Sequence, residues 1–166
     1  MTLAEAAAQA DSLAEAGSEQ ELSKHRAEWS DEIEAAARNA DYRERAVAYR
    51  AIGQFRFRQK TELLRRGLED VSPACRGSAL ISLELLSRDH PGVVNGVRPL
   101  LHEMVSRDDN DAVRRLAVVA LRNGSAQRDT IAILSALTDD DEAGRDLRDS
   151  AGKVAQQLRR KAGPGR

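Results

Sequence analysis

The chain is short of several residue types, and each shortage closes off a class of protein. Among 166 residues there is one cysteine, Cys75. No internal disulfide and no thiolate zinc cluster can be built from it. A lone cysteine also suits a reducing compartment, which points to the cytoplasm. Only three histidines occur, His25, His90 and His102, and none is spaced from another or from Cys75 as metal ligands are. No Gly-rich phosphate loop is present. The acidic runs Asp108-Asp109-Asn110-Asp111 and Asp139-Asp140-Asp141-Glu142 lack the spacing, the glycine and the final glutamate of a calcium loop. No run approaches the ~18 apolar residues of a membrane span. The first residues, MTLAEAAAQADSLAEAG, have neither the basic start nor the apolar core of a signal peptide. Neither a membrane partner, nor a metal, nor a cofactor is expected.

What is present is helical. Ala, Leu, Arg and Glu dominate, and all are good helix formers. Apolar residues recur at spacings of three and four rather than two. Turn and cap signals fall at Gly17-Ser18, Asn39-Ala40-Asp41, Ser72-Pro73, His90-Pro91-Gly92, 108–111, Asn123-Gly124-Ser125 and 138–142. The apolar content is 41% and the charged content 32%, which suits a protein with much surface for its volume. The Ala- and Arg-rich, Lys-poor composition suggests a high-GC bacterial or archaeal source.

One pattern repeats four times: Arg45-x-x-Ala48-x-x-Ala51-Ile52, Arg76-x-x-Ala79-x-x-Ser82-Leu83, Arg114-x-x-Ala117-x-x-Ala120-Leu121 and Arg148-x-x-Ala151-x-x-Val154-Ala155. The arginines are 31, 38 and 34 residues apart. Asp41, Ser72 and Asn110 stand before the first three copies as helix N-caps. Each copy follows a helix with its own leucine pattern, such as Leu63-Leu64 with Leu68, or Leu100-Leu101 with Met104. Small residues at the two alanine positions allow close helix approach, and stability must come from stacking one hairpin on the next.

A helix, a turn carrying Asp, and a second helix reading Arg-x-x-Ala-x-x-Ala-Leu resemble the HEAT-repeat family. The resemblance is nearest to short HEAT-like repeats of bacterial scaffolds and bilin-lyase-type proteins, and it spans roughly residues 20–161. It implies an all-α, right-handed α-α superhelical solenoid of about four helical hairpins with an N-terminal helical cap. It also implies that each repeat arginine pairs with an Asp of an inter-helix turn. The expected division is an amphipathic N-terminal helix over 1–18, able to move, a repeat domain over 19–161, and a fraying tail over 162–166. Cys75 falls where the repeat would bury it.

Three features point outward. Residues 1–40 carry nine acids against three bases, a net of −6, whereas 41–58, 72–88, 111–122 and 143–161 together carry sixteen bases against six acids, a net of +10. In the family the second helices line the concave face. At ~100° per residue, Val119 points ~200° from the core residue Ala117. Ile81 holds the same place relative to Ala79, and Arg50 and Lys153 hold it in the outer repeats. Leu80, Leu85, Leu116 and Val118 widen the apolar stripe. Arg115 and Arg122 add cations beside it. All five aromatics, Trp29, Tyr42, Tyr49, Phe55 and Phe57, lie between residues 29 and 57. They fit the core where the N-terminal cap meets the first repeat, and Tyr49 and Phe57 are also candidates for an interface.

The resulting expectation is a non-catalytic protein-interaction module, an adaptor, assembly or immunity-type partner. It would bind another protein, acidic or presenting a helix, through Arg50, Ile81, Val119, Arg115, Arg122, Lys153, Tyr49 and Phe57. The alternative is a nucleic-acid partner on the basic second helices. Glycosylase chemistry is not expected, because the middle repeats offer aliphatics rather than a Trp, Tyr and carboxylate cleft. Lyase chemistry is not expected either, because nothing marks a chromophore site.

Overall fold

The computed structural model describes residues 1–164 of the chain. In order, its helices are α1 (Leu3–Glu15), α2 (Glu19–Ala37), α3 (Tyr42–Gln54), α4 (Thr61–Leu68), α5 (Pro73–Ser87), α6 (Gly92–Asn95), α7 (Arg98–Arg107), α8 (Asp111–Ala120), α9 (Arg128–Thr138) and α10 (Arg145–Ala162). Short 3-10 turns sit at Arg58–Lys60 and Leu121–Asn123. There is no strand among the described residues. The fold is the all-α, HEAT-like helical stack that the repeat predicts. The chain divides into two compact units, Met1–Leu86 and Ser87–Arg166.

The repeat positions do what their sizes require. Ala48, Ala79, Ala117 and Ala151 are all fully buried, as are Ala51, Ser82 and Ala120. Ile52, Leu83, Leu121 and Ala155 are each 1% exposed or less. In the first unit α3 and α5 approach so closely that a Cβ on Gly53 would lie 2.7 Å from the Ser82 Cα. Ser82 is polar yet buried because its hydroxyl donates to the Tyr49 carbonyl at 2.6 Å and accepts from the Gly53 N–H at 3.0 Å. Gly67 gives the same closeness between α4 and α5, since its Cβ would meet that of Ala79 at 2.9 Å.

Each turn inside a hairpin is built alike. Asn39, Asp70, Asp108 and Asp140 accept, through a side-chain oxygen, from the backbone N–H two residues on, at 2.8 to 3.0 Å. Such Asx turns mimic a backbone turn at low conformational cost. Asp41 and Asn110 then cap α3 and α8 by accepting from the N–H of Arg43 and Val113. The repeat arginines fasten these turns. Arg45 donates to the carbonyls of Asn39 and Ala40, six and five residues back, and Arg76 does the same to Asp70 and Val71.

The expected arginine–aspartate ladder is present but irregular. Arg45 forms a two-pronged pair with Asp70, at 2.9 and 3.0 Å. Arg148 stands 3.9 Å from Asp141. Arg114 instead donates to the Val105 carbonyl at 2.8 Å and approaches Asp111 of its own helix.

The helix over 3–15 packs against both α2 and α3, with Leu3, Ala6, Ala7 and Ala10 buried. Ala162, the first residue of the expected tail, closes α10. Gly165 and Arg166 lie outside the described residues.

Of the aromatics expected where the N-terminal cap meets the first repeat, Trp29, Tyr49, Phe55 and Phe57 are buried and Tyr42 is exposed. Phe55 is fully buried and His25 stacks on it at 5.4 Å. Trp29 meets His25 edge-on. Cys75 is buried too, its thiol donates to the Tyr42 carbonyl at 3.2 Å, and burial raises its pKa.

Candidate partner-binding face

Four of the eight expected contact residues share one unit. Arg115 and Val119 lie on α8, Arg122 on the 3-10 turn after it, and Lys153 on α10. These two helices pack side by side. Their alignment is set by side-chain bonds: the Arg115 Nε donates to the Ser150 hydroxyl at 3.3 Å, and the Lys161 ammonium donates to the carbonyls of Arg122 and Gly124 at 3.0 and 2.8 Å. The inner sides are dry. Val113, Ala117, Val118 and Ala120 of α8 are buried, as are Leu147, Ala151, Val154, Ala155 and Leu158 of α10.

The opposite sides carry the charge. Arg115, Lys153, Arg159 and Arg160 are exposed, while Arg122, Leu116 and Val119 are half-buried. Arg159 donates to the Ser135 hydroxyl. The acids of these helices, Asp111, Asp146 and Asp149, all sit near the N-terminal ends. From 112 to 123 and from 150 to 162 there is no acid at all. The C-terminal halves of α8 and α10 therefore carry charge of one sign, with the half-buried Val119 among the bases. At the other end of the same pair of helices is a cleft of about 410 Å³ lined by Asp111, Ala112, Arg115, Gly144, Arg145, Asp146 and Leu147.

The other four expected residues are not on this face. Ile81 is half-buried on α5, in the first unit. Arg50 is half-buried on α3, with its Nη1 out of reach of any acceptor. Burial lowers its pKa and nearby Arg56 adds to this, against the opposing pull of Asp11 on α1.

Tyr49 and Phe57 need correction as interface candidates. Tyr49 is 4% exposed and Phe57 is 9% exposed, so neither presents a ring to a partner. Tyr49 lies against Gly67, where it would meet any added Cβ at 3.1 Å. The Lys60 ammonium stands 4.8 Å over the Phe57 ring while donating to Glu34 at 2.8 Å. The interleaved Phe55-Arg56-Phe57-Arg58 run is thus mostly consumed inside the first unit.

Arg159, Arg160 and Lys161 escaped the sequence reading as site residues. They fall at the far end of the last helix, beyond the repeat pattern. The signal that marks them is the acid-free stretch from 150 onward.

Among the described residues, no three His, Cys, Asp or Glu side chains stand close enough to hold a metal ion. No helix is long and apolar enough to cross a membrane. His102 shares a 2.8 Å hydrogen bond with the buried Thr130, and burial lowers its pKa. A family model described as HEAT repeats matches residues 30–122, more than half of the chain. No curated protein matches it.

Proposed function

This chain belongs to the HEAT-repeat family, and on that premise we propose that it is a non-catalytic interaction module whose α8–α10 face binds an acidic protein partner. The observation that carries the reading is the set of bases Arg122, Lys153 and Arg160 with Val119, on helix halves that hold no acid, with Arg115 at the edge beside Asp111 and Asp146. A stable fold does not need such a run of like charge, because like charges on neighbouring helices repel. A field of one sign does steer an oppositely charged partner and selects against basic ones. A single aliphatic patch within it supplies a short-range contact that charge alone lacks. The buried lone cysteine is in keeping with a cytoplasmic setting.

A second reading is favoured by the same arginines, which match phosphate well. Nucleic acid would bind with a steep linear fall in log affinity against log salt. The two are separated by an affinity capture at low and high salt, with nuclease treatment of half of each sample. The proposed partner survives nuclease, and its recovery falls about tenfold or more with Arg115→Glu/Arg122→Glu. Val119→Asp weakens it at every salt concentration. A capture that ignores all three substitutions excludes this face. A capture abolished by nuclease replaces the protein partner with nucleic acid.

A further inference from the structure

The same molecule carries the complement of its own basic face. On α2 the side chains of Glu21, Glu28, Asp31 and Glu32 are all exposed. Lys24 is the one base among them on the exposed side. The other acids of this region are engaged: Asp11 and Glu15 with Arg56, Glu19 with Arg26, and Glu34 with Lys60. Glu28 meets only His25, at 4.0 Å. Over the whole of α2 there are six acids and two bases, against nine bases and three acids on 111–123 and 145–162. The chain's net charge of −1 therefore hides two large and opposite local charges.

We infer that the α8–α10 face of one copy accepts the exposed acidic side of α2 of a second copy. This rests on the reading of α8–α10 as the binding face and names one occupant for it. Both surfaces are helical and both keep their charges outward. A net charge near zero removes the long-range repulsion that keeps highly charged proteins apart. The two patches are different, so the contact is heterologous, and a pair of copies retains one unused patch of each kind. With only Val119 as apolar contribution, the association is weak and belongs with small transient interfaces. An acidic partner would compete with the second copy for the same face.

The test is a charge swap read by sedimentation velocity over a rising concentration series. Lys153→Glu/Arg160→Glu cancels most of the excess charge of the basic face, and Glu28→Arg/Glu32→Arg cancels that of the acidic one. All four positions are exposed, where substitutions change folding stability little. The wild-type chain should self-associate at about 0.05 M salt and be monomeric at about 0.5 M, because screening shortens the reach of exposed charges. Each double variant should remain monomeric alone. An equimolar mixture of the two should associate, because each supplies the patch the other has lost, and the fourfold variant should stay monomeric.

A wild-type chain that stays monomeric at low salt overturns the inference. So does self-association that neither double variant reduces, or an equimolar mixture of the two that stays monomeric. Titration with poly-glutamate separates the two levels. If wild type binds it and Lys153→Glu/Arg160→Glu does not, while no self-association occurs, the binding face stands and the second copy is excluded. If poly-glutamate does not bind either, both fall.

Discussion

An arginine held in a partly buried place is explained by what its five donors reach. Arg45 spends them on two turn carbonyls and both oxygens of Asp70, so one side chain fastens two consecutive turns of the stack. Burial alone would raise the pKa of the Asp70 carboxyl. The Arg45 guanidinium and the Ser72 N–H outweigh burial and hold it below the ordinary carboxylate value. A carboxyl lowered in the folded state stabilises it above the unfolded pKa of about 4 and loses that contribution as pH falls through the folded value. Asp70→Asn should therefore lower Tm by several degrees at pH 7 and by little at pH 3. Thermal unfolding across that range checks it, and an equal drop at both ends would mean that the ion pair contributes nothing.

At the scale of the helix, the joint between α1 and α3 has an unusual fastening. Arg56 follows α3 with φ 53, the left-handed region that favours glycine. That turn lets its guanidinium donate to the Gly53 and Gln54 carbonyls while reaching Asp11 and Glu15 on α1. Arg26 adds a bond to the Phe55 carbonyl at 2.7 Å. The apolar seam of α1 is leucine and alanine only, so this clasp carries a large share of its docking. Arg56→Gly removes the clasp and relieves the backbone, whereas Arg56→Ala removes the clasp and keeps the strain. The glycine variant should be more stable than the alanine variant by about 1 kcal/mol. Denaturant unfolding gives the difference, and both variants should speed amide exchange in α1. Unchanged α1 exchange in both would show that the clasp is not what holds it.

For the molecule as a whole, stacked repeats make stability a sum of neighbour contacts, so elements with a neighbour on one side open first. The N-terminal α1 and the last turns of α10 should exchange amide hydrogens faster than α3 and α8. Native-state hydrogen exchange measures this ordering directly. Uniform protection along the chain would instead mean one indivisible folding unit.

How much of this was legible in the sequence follows from what each signal depends on. The hairpins, their caps and the alanine seams are local or periodic, because a buried small residue must recur wherever two helices approach. Arg-x-x-Ala-x-x-Ala-Leu therefore located the core of every second helix, and Asp41 and Asn110 located the starts of two of them. The Asx turns were equally local: Asn39, Asp108 and Asp140 fall inside stretches whose composition already marks turns, and Asp70 lies two residues before the Ser72-Pro73 break. The short α6, which lengthens one repeat interval to 38 residues, has only four residues and no period to show. The direction a given ring faces is different in kind. Tyr49 and Phe57 have the composition of an interface, and only the packing of Gly67 and Lys60 against them made them interior. The proposed binding face was divided the same way. The sequence by itself determined its charge, since nothing acidic occurs between 150 and 162. Tertiary structure alone decided that the helices carrying Arg115, Val119, Arg122 and Lys153 lie side by side, because residues more than 30 apart in sequence, such as Arg115 and Ser150, meet only when α8 and α10 pack.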